Sequence, residues 1–418
     1  MSSSAGVTAS VEGKRVVNQP QAPARAHNVL PAVLFLLFAT GWAANHFAAM
    51  LPVFASSEGL SHQALDGAFG IYAVGLLPAL LFGGSLSDRL GRRPLLLSGA
   101  AVAGLGNLSL LCEHDQAGIF IGRLIVGAGV GVAMSAGTAW SADIGGGSGS
   151  VLAGVSLSAG FGCGPLVSGL LAQFADSATY VPFIATIALS ATAVVVGALL
   201  ARVPDDAASR YQPIETDKER AEHGGNAIAA LSSALPMALW VFSCATVTIV
   251  TLAERMQYRF SGPWVPGVAA AVTLTAGVGI QMVARRRGWR RSAGIVGAAV
   301  AALGFGAVVA VGETPSLAVF LLIAVVLGIA YGLCLREGLI DIETMSPPRL
   351  RGTLTGVFYV VTYLGFGLPV LLVAIKPAVG AVTPMLVLAA LAATAASLRA
   401  VQVFGPRQLR IQHHQPAV

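Results

Sequence analysis

Between positions 29 and 402 one pattern recurs twelve times: an apolar run of about 20 residues, almost free of charge, closed by a short charged or glycine-rich interruption. A bilayer's hydrocarbon core is about 30 Å thick and takes about 20 residues of helix. Inside it every backbone N–H and C=O must find a partner within the protein, which a helix provides by itself. The pattern therefore predicts an all-α membrane protein with twelve spans, near 29–54, 67–87, 94–112, 117–140, 151–173, 180–202, 229–252, 265–284, 292–312, 316–338, 353–375 and 381–402. Composition agrees: 55% of residues are hydrophobic, mean hydropathy is +0.76, and charged residues make up 11%, against about 25% in soluble domains.

Orientation follows from where the cations fall. Alternating the interruptions between two sides places 21 of the 25 Lys and Arg on the side of the two termini. Arg255, Arg259 and Lys376 fall on the other side and Arg123 within a span. The positive-inside rule then makes both termini cytoplasmic. That placement also accounts for the net charge of +6 without nucleic acid as a partner. Five segments are expected: a flexible tail at 1–27, a six-helix bundle at 28–202, a charged linker at 203–228, a second bundle at 229–402 and a tail at 403–418. The bundles resemble each other at a spacing of about 200 residues. RRRGWRR at 285–291 follows span 8 as DRLGRRP at 88–94 follows span 2, and GFGLP at 365–369 parallels GFGCGP at 160–165. Two such halves suit a pair of bundles rocking around a site at the membrane midplane.

Between spans 2 and 3 stand Gly84, Asp88, Arg89, Gly91, Arg92 and Arg93. Topology alone explains the arginines of a tight cytoplasmic turn, but neither Asp88 nor Gly84. The set resembles the helix 2 to helix 3 signature of the major facilitator superfamily, with the twelve-helix drug:proton antiporter branch the nearest likeness. The resemblance implies a gate: Asp88 caps the amino end of helix 11 near Gly352 and Thr353, Arg92 reaches Asp143 at the end of helix 4, and the two halves are latched. Gly84, one turn before Asp88, would let a neighbouring helix approach. In the second copy Arg285 replaces the aspartate, so the latch is expected on one side only.

Span 4 carries Arg123-Leu-Ile-Val-Gly127-Ala-Gly129, similar to a second motif of the same family. A cation in the membrane interior costs about 2.5 to 3.5 kcal/mol on insertion scales and is usually functional; snorkelling to the interface is the bland alternative. Span 5 carries Gly160, Gly164, Pro165 and Gly169, resembling the antiporter motif of the drug exporters, although Val151 and Ser168 stand where glycines are expected. By the same resemblance helices 1, 4, 7 and 10 line a cavity, to which helix 1 offers Trp42, Asn45 and His46. Helix 7 adds Trp240, Ser243 and Thr246, helix 10 Tyr331, and helix 11 a stripe of Tyr359, Thr362, Tyr363 and Phe366. An aromatic stripe of this kind is more often packing than a binding wall. His46 titrates near physiological pH and is a candidate proton carrier, in a polar cluster with Arg123.

All 19 acidic residues fall in tails, loops or the last turn of a span by this reading. With Arg123 and His46 as the strong intramembrane charges, the expected substrate is a small neutral or anionic organic molecule and the coupling ion H+. The four cysteines are scattered singly and suggest neither disulfides nor a metal site. No cofactor is expected, and no phosphate-cradling glycine-rich loop with lysine occurs to bind ATP. Asn107-Leu-Ser109 fits a glycosylation pattern but lies inside span 3. The expectation is a monomeric secondary transporter of the plasma membrane, a proton-linked exporter; uptake by symport, uncoupled diffusion, and a receptor or scaffold on the same fold are the alternatives.

Overall fold

The computed structural model describes residues 29–200, 225–257, 259–289, 292–347 and 350–405. The expected tails, most of the linker, and Arg290 and Arg291 of the second basic turn lie outside the described residues. Among those described there is no strand, and twelve helices are long and apolar enough to cross a membrane. We label them α1 (Val29–Ser57), α2 (Gln63–Leu90), α3 (Arg92–Cys112), α4 (Gln116–Gly145), α5 (Ser148–Phe174), α6 (Tyr180–Leu200), α7 (Ala227–Met256), α8 (Trp264–Arg286), α9 (Ser292–Ala310), α10 (Leu317–Met345), α11 (Thr353–Val379) and α12 (Val382–Phe404). An even number of spans puts the start of α1 and the end of α12 on one face, here the terminal face; the opposite one is the distal face.

Side chains with free oxygens start several helices where the apolar runs begin. Ser61, Asp115 and Ser316 accept hydrogen bonds from the backbone N–H three residues on, and Asn226 from those of Ile228 and Ala229. Each satisfies donors that a helix start leaves free. Gly91 closes α2 at φ +94°, a conformation that glycine adopts without steric cost. Between α4 and α5 the backbone stays helical from Gln116 to Phe174, about 88 Å if straight. Yet Gly149 packs on the carbonyl of Ser141, eight residues back and about 12 Å away along a straight helix. The axis therefore reverses at the glycines around 145–149.

Within each half, bare backbone brings helices together. Gly75 meets the Leu124 carbonyl and Gly127 the Tyr72 carbonyl, joining α2 to α4; Gly277 meets Gly328, and Gly332 meets Gly277, joining α8 to α10. Gly75 and Gly277 are 202 positions apart, and Gly127 and Gly328 are 201, so the repeat seen in the loops extends into the packing. In lipid no hydrophobic force draws helices together, and such close van der Waals contact replaces it. The large apolar side chains instead turn outward: Phe82, Phe174 and Leu303 are 69%, 82% and 70% exposed. Such a belt would aggregate in water and is at home in a bilayer.

Three spans are interrupted near their middles. The ladder of α1 breaks at His46, one to two turns before Pro52, which lacks an N–H to donate. α7 widens to a π-helix over Val247–Leu252, and α11 tightens to a 3₁₀ turn over Leu364–Gly367. α1 and α7 occupy equivalent places in the two halves, and interruptions of this kind gather at functional sites.

Several helices outrun their apolar cores, which corrects the placement of the acids. α2 begins at the Ser61 cap, so Asp66 is inside it and only 6% exposed; α10 continues to Met345, so Glu337 and Asp341 are inside it at 1% each. A hydropathy window ends at the first charge, whereas the hydrogen-bond ladder does not. Arg399 of α12 is likewise buried and pairs with Asp341 at 2.5 Å, so Arg123 and His46 are not the only strong charges inside the spans. Ser233 of α7 donates to Asp341 at 2.8 Å and also contacts Arg399. The buried acids stay within about three turns of a helix end.

Candidate functional site

At the centre lies Arg123, fully buried on α4. Its Nε donates to the Ala68 carbonyl of α2 at 3.2 Å and its Nη1 to the Ala44 carbonyl of α1 at 3.0 Å. The guanidinium carbon stands 4.7 Å from the Phe47 ring centroid and 4.6 Å from that of Tyr72, both within cation–π range. No carboxylate among the described residues bonds it, so a full positive charge is held by carbonyl dipoles and ring faces alone. The Tyr72 hydroxyl beside it is buried without a hydrogen-bond partner among the described residues. An orphaned polar group of this kind asks for an explanation, and a bound molecule is one.

Tyr72 carries the site to the other half. Phe366, in the 3₁₀ turn of α11, lies 5.8 Å from Tyr72 and stacks on Phe69 at 5.2 Å. Phe242 of α7 meets Phe366 at 4.9 Å and Tyr363 at 4.4 Å, and Tyr331 of α10 lies 6.1 Å from Phe242. The Tyr363 hydroxyl points at the sulfur of Met134 on α4, 3.9 Å away, and the Tyr331 side chain lies near Ser158 of α5. Thr246 donates to the Gly365 carbonyl at 2.9 Å, and Ser243 packs against the same glycine, holding the break in α11 that presents Phe366. Rings from both halves thus plug the middle of the molecule, with Arg123 at the edge of the plug.

The helix 1 residues face elsewhere. Trp42 Nε1 donates to Thr186 Oγ1 of α6 at 3.0 Å and Asn45 to the Phe161 carbonyl of α5 at 2.9 Å. His46 bonds Asn107 Oδ1 of α3 at 2.7 Å with its ring edge-on to Phe183 of α6. None of these side chains is directed at the second half, and the partner of His46 is Asn107, not Arg123. Asn107 commits its amide N–H groups to the carbonyls of Ala43 and Ala103. Its oxygen therefore faces the imidazole, so Nε2 carries the hydrogen; Nδ1 is buried with no partner among the described residues. Trp240 packs on Phe305 of α9 within the second half. Of the helix 11 stripe, Tyr363 and Phe366 enter the plug and Tyr359 flanks it, 6.5 Å from Tyr363.

The helix 5 motif forms a seam. Gly160 and Gly164 press against α1 at Phe38 and Trp42, while Gly169 meets Pro263 and Trp264, and Gly267 of α8 meets Pro165. One face of α5 is thereby bound to its own half and the other to the second half.

In the turn between α2 and α3, Arg92 meets Asp143 as the resemblance implied, whereas Asp88 takes a partner in its own half. Asp88 pairs with Arg92 at 2.6 Å, and Arg92 Nε bonds Asp143 at 2.9 Å while its Nη1 contacts Ser87. Arg93 donates to the Ala198 carbonyl of α6 at 2.8 Å, and no described contact is assigned to Arg89. All these partners lie in the first half. A charged donor one turn away competes well for an exposed carboxylate, and no described bond runs from Asp88 to the amino end of α11. Close approach is also made by Gly83, where a Cβ would meet Ser135 at 2.9 Å, and not by Gly84, where the nearest atom is at 3.6 Å.

Two clefts flank the plug on the distal side. One of about 470 Å³ runs between α1, α2, α7 and α8; another of about 1080 Å³, open to solvent, lies between α2, α7, α11 and α12. Asp66 and Glu254 line both. Sequence reasoning passed over Phe69, Tyr72, Phe242, Asp66 and Glu254, which share no spacing pattern because they come from distant helices.

Three comparisons place this arrangement. A 5-aminolevulinic acid complex of a POT family transporter superposes with a TM-score of 0.72 over 90% of this chain and 96% of its own, at 14% identity. The human organic anion transporter MFSD10 gives 0.62 over 91% and 100% at 19% identity; both establish likeness of fold. Multidrug resistance protein MdtL of Klebsiella pneumoniae subsp. pneumoniae is 35% identical over 98 residues, and MdtL of Shewanella oneidensis likewise. These matches cover 23% of this chain and 24% of the relatives' length. The profile of the Major Facilitator Superfamily matches residues 33–369, and with twelve helices in the same fold, the chain belongs to that superfamily of membrane transporters.

Proposed function

We propose that this transporter exports small neutral or anionic organic compounds by alternating access, exchanging them for protons, with the terminal face in the cytoplasm of a bacterial cell and a single chain as the working unit. It is a carrier and not an enzyme. The observation that supports the substrate class is Arg123: a buried cation with no carboxylate partner among the described residues, next to a Tyr72 hydroxyl that is likewise unbonded among them and whose ring meets the second half at Phe366. A carrier of organic cations would be expected to place an acid there to attract the substrate and exchange it for a proton. The partial likeness to MdtL supports export and drug-like cargo. The seam that Gly169 and Pro165 make with α8 fits a carrier in which α5 bears on the opposite half.

His46 is the proton-carrying candidate, since its Nδ1 is free to accept, and the charged turn of Asp88, Arg92 and Asp143 steadies the terminal end of the first half. The test is a compound screen comparing accumulation in cells with and without the protein, followed by uptake into everted vesicles energised by a proton gradient. Anionic and neutral compounds are expected to be depleted from the cells and to lose that depletion when the gradient is collapsed. Strong transport of a quaternary ammonium dye, with none of an anionic or neutral compound, would overturn the substrate class.

A further inference from the structure

One ring contact in the plug crosses between the halves almost face to face. Phe366 of α11 stacks on Phe69 of α2 with centroids 5.2 Å apart and planes 19° from parallel. The turn that carries Phe366 is tied to α7 through the bond from Thr246 to the Gly365 carbonyl, so this ring moves with the second half and Phe69 with the first. Any parting of the halves at the plug opens this stack into a slot between two flat apolar faces. One turn further along α2, on the same face as Phe69, Tyr72 is 1% exposed, and its hydroxyl has no hydrogen-bond partner among the described residues. A buried donor left unpaired keeps the full cost of its lost hydration, which an acceptor brought from outside the chain removes. The guanidinium carbon of Arg123 stands 4.6 Å over the same Tyr72 ring, and its described hydrogen bonds go to the neutral carbonyls of Ala44 and Ala68. An acceptor reaching the Tyr72 hydroxyl therefore meets a positive field and is bound better as an anion than as a neutral group.

We propose that the cargo is an aromatic carboxylate, whose ring enters between Phe69 and Phe366 while its carboxylate accepts a hydrogen bond from the Tyr72 hydroxyl in the field of Arg123. The two near-parallel faces select a planar π-system, since offset stacking adds to what apolar burial alone provides. The hydroxyl and the cation select the negative charge. Phe69 and Tyr72 are three residues apart, about 4.5 Å of helix rise, so the acid is joined to the ring directly or through a short link. An organic cation would find the same rings but would face Arg123. The proposal rests on the export reading of this site and narrows its substrate class; it makes Tyr72 and Phe69 the residues that set specificity.

The test is a binding measurement on the purified full chain in detergent, by equilibrium dialysis of radiolabelled benzoate against unlabelled competitors. Benzamide keeps the ring without the charge, and cyclohexanecarboxylate keeps the charge without the π-face. Benzoate is expected to bind about tenfold more tightly than benzamide, as a hydrogen bond to a charged group outweighs one to a neutral group, and about fivefold more tightly than cyclohexanecarboxylate, from stacking. Tyr72→Phe removes one oxygen and leaves the ring under Arg123; it is expected to weaken benzoate about tenfold and benzamide much less. Phe69→Leu is expected to bring benzoate down to the affinity of cyclohexanecarboxylate and leave the latter nearly unchanged. Thermal unfolding of both variants, expected within a few degrees of the parent, separates loss of the site from loss of the fold. Benzoate that fails to bind, that binds no better than the two analogues, or that binds both variants as it binds the parent overturns the proposal. Failure of the export reading would instead appear as benzoate bound with this selectivity but not carried across proteoliposomes.

Discussion

Replacing Arg123 by leucine is expected to lower transport by about a hundredfold, equivalent to about 2.7 kcal/mol at the limiting step, while leaving the protein folded. The physical case is that a cation in the membrane interior carries a cost of about 2.5 to 3.5 kcal/mol on insertion scales. Two carbonyls and two aromatic faces offset part of that cost. Were the residue there for packing, a leucine would serve as well or better, because exchanging a buried charge for apolar bulk is often neutral or stabilising. Arg123→Lys keeps the charge but lacks the planar fork that reaches α1 and α2 at once, so it should fall between the two. Flux in proteoliposomes and thermal unfolding in detergent, measured on the same preparations, separate the readings. A leucine variant that transports at the native rate would make Arg123 a structural residue.

The largest effect on stability is expected at the other end of the molecule. Arg399→Leu and Asp341→Leu should each destabilise the second half by about 3 to 5 kcal/mol, since each leaves a buried charge without its partner. The double variant should recover most of that loss. Ser233, which bonds both groups, can then turn to a backbone carbonyl of its own helix, as Ser243 does to Leu239. Thermal unfolding of the three proteins forms a double-mutant cycle. Single variants as stable as the parent would show that water or lipid reaches the pair.

Much of this arrangement was legible in the sequence, and the limits have physical causes. Twelve spans, the pseudo-repeat and the exceptional character of Arg123 follow from hydropathy and from the rarity of charge in lipid. Helix ends were misjudged at Asp66 and Asp341 because a buried acid can be carried by its own helix when a cap such as Ser61 or a partner such as Arg399 supports it. The direction of helix 1 was misjudged for a different reason. Trp42, Asn45 and His46 take partners on α6, α5 and α3, and in an all-apolar helix no polar stripe marks which face is which. Asn107 read as a spurious glycosylation site, yet it orients the imidazole of His46. The expected cap by Asp88 came from resemblance alone, and among the described residues the partner of Asp88 is Arg92, one turn away.

Alternating access itself is most directly tested by a reversible lock across the distal face. Cysteines at Leu65 of α2 and Ile249 of α7, on facing walls of the smaller cleft, can be joined by a bifunctional reagent with a reducible centre. Cross-linking is expected to stop flux of a compound found in the screen, and reductant to restore it. Flux that continues undiminished through the cross-linked protein would contradict a carrier whose halves rock about the aromatic plug.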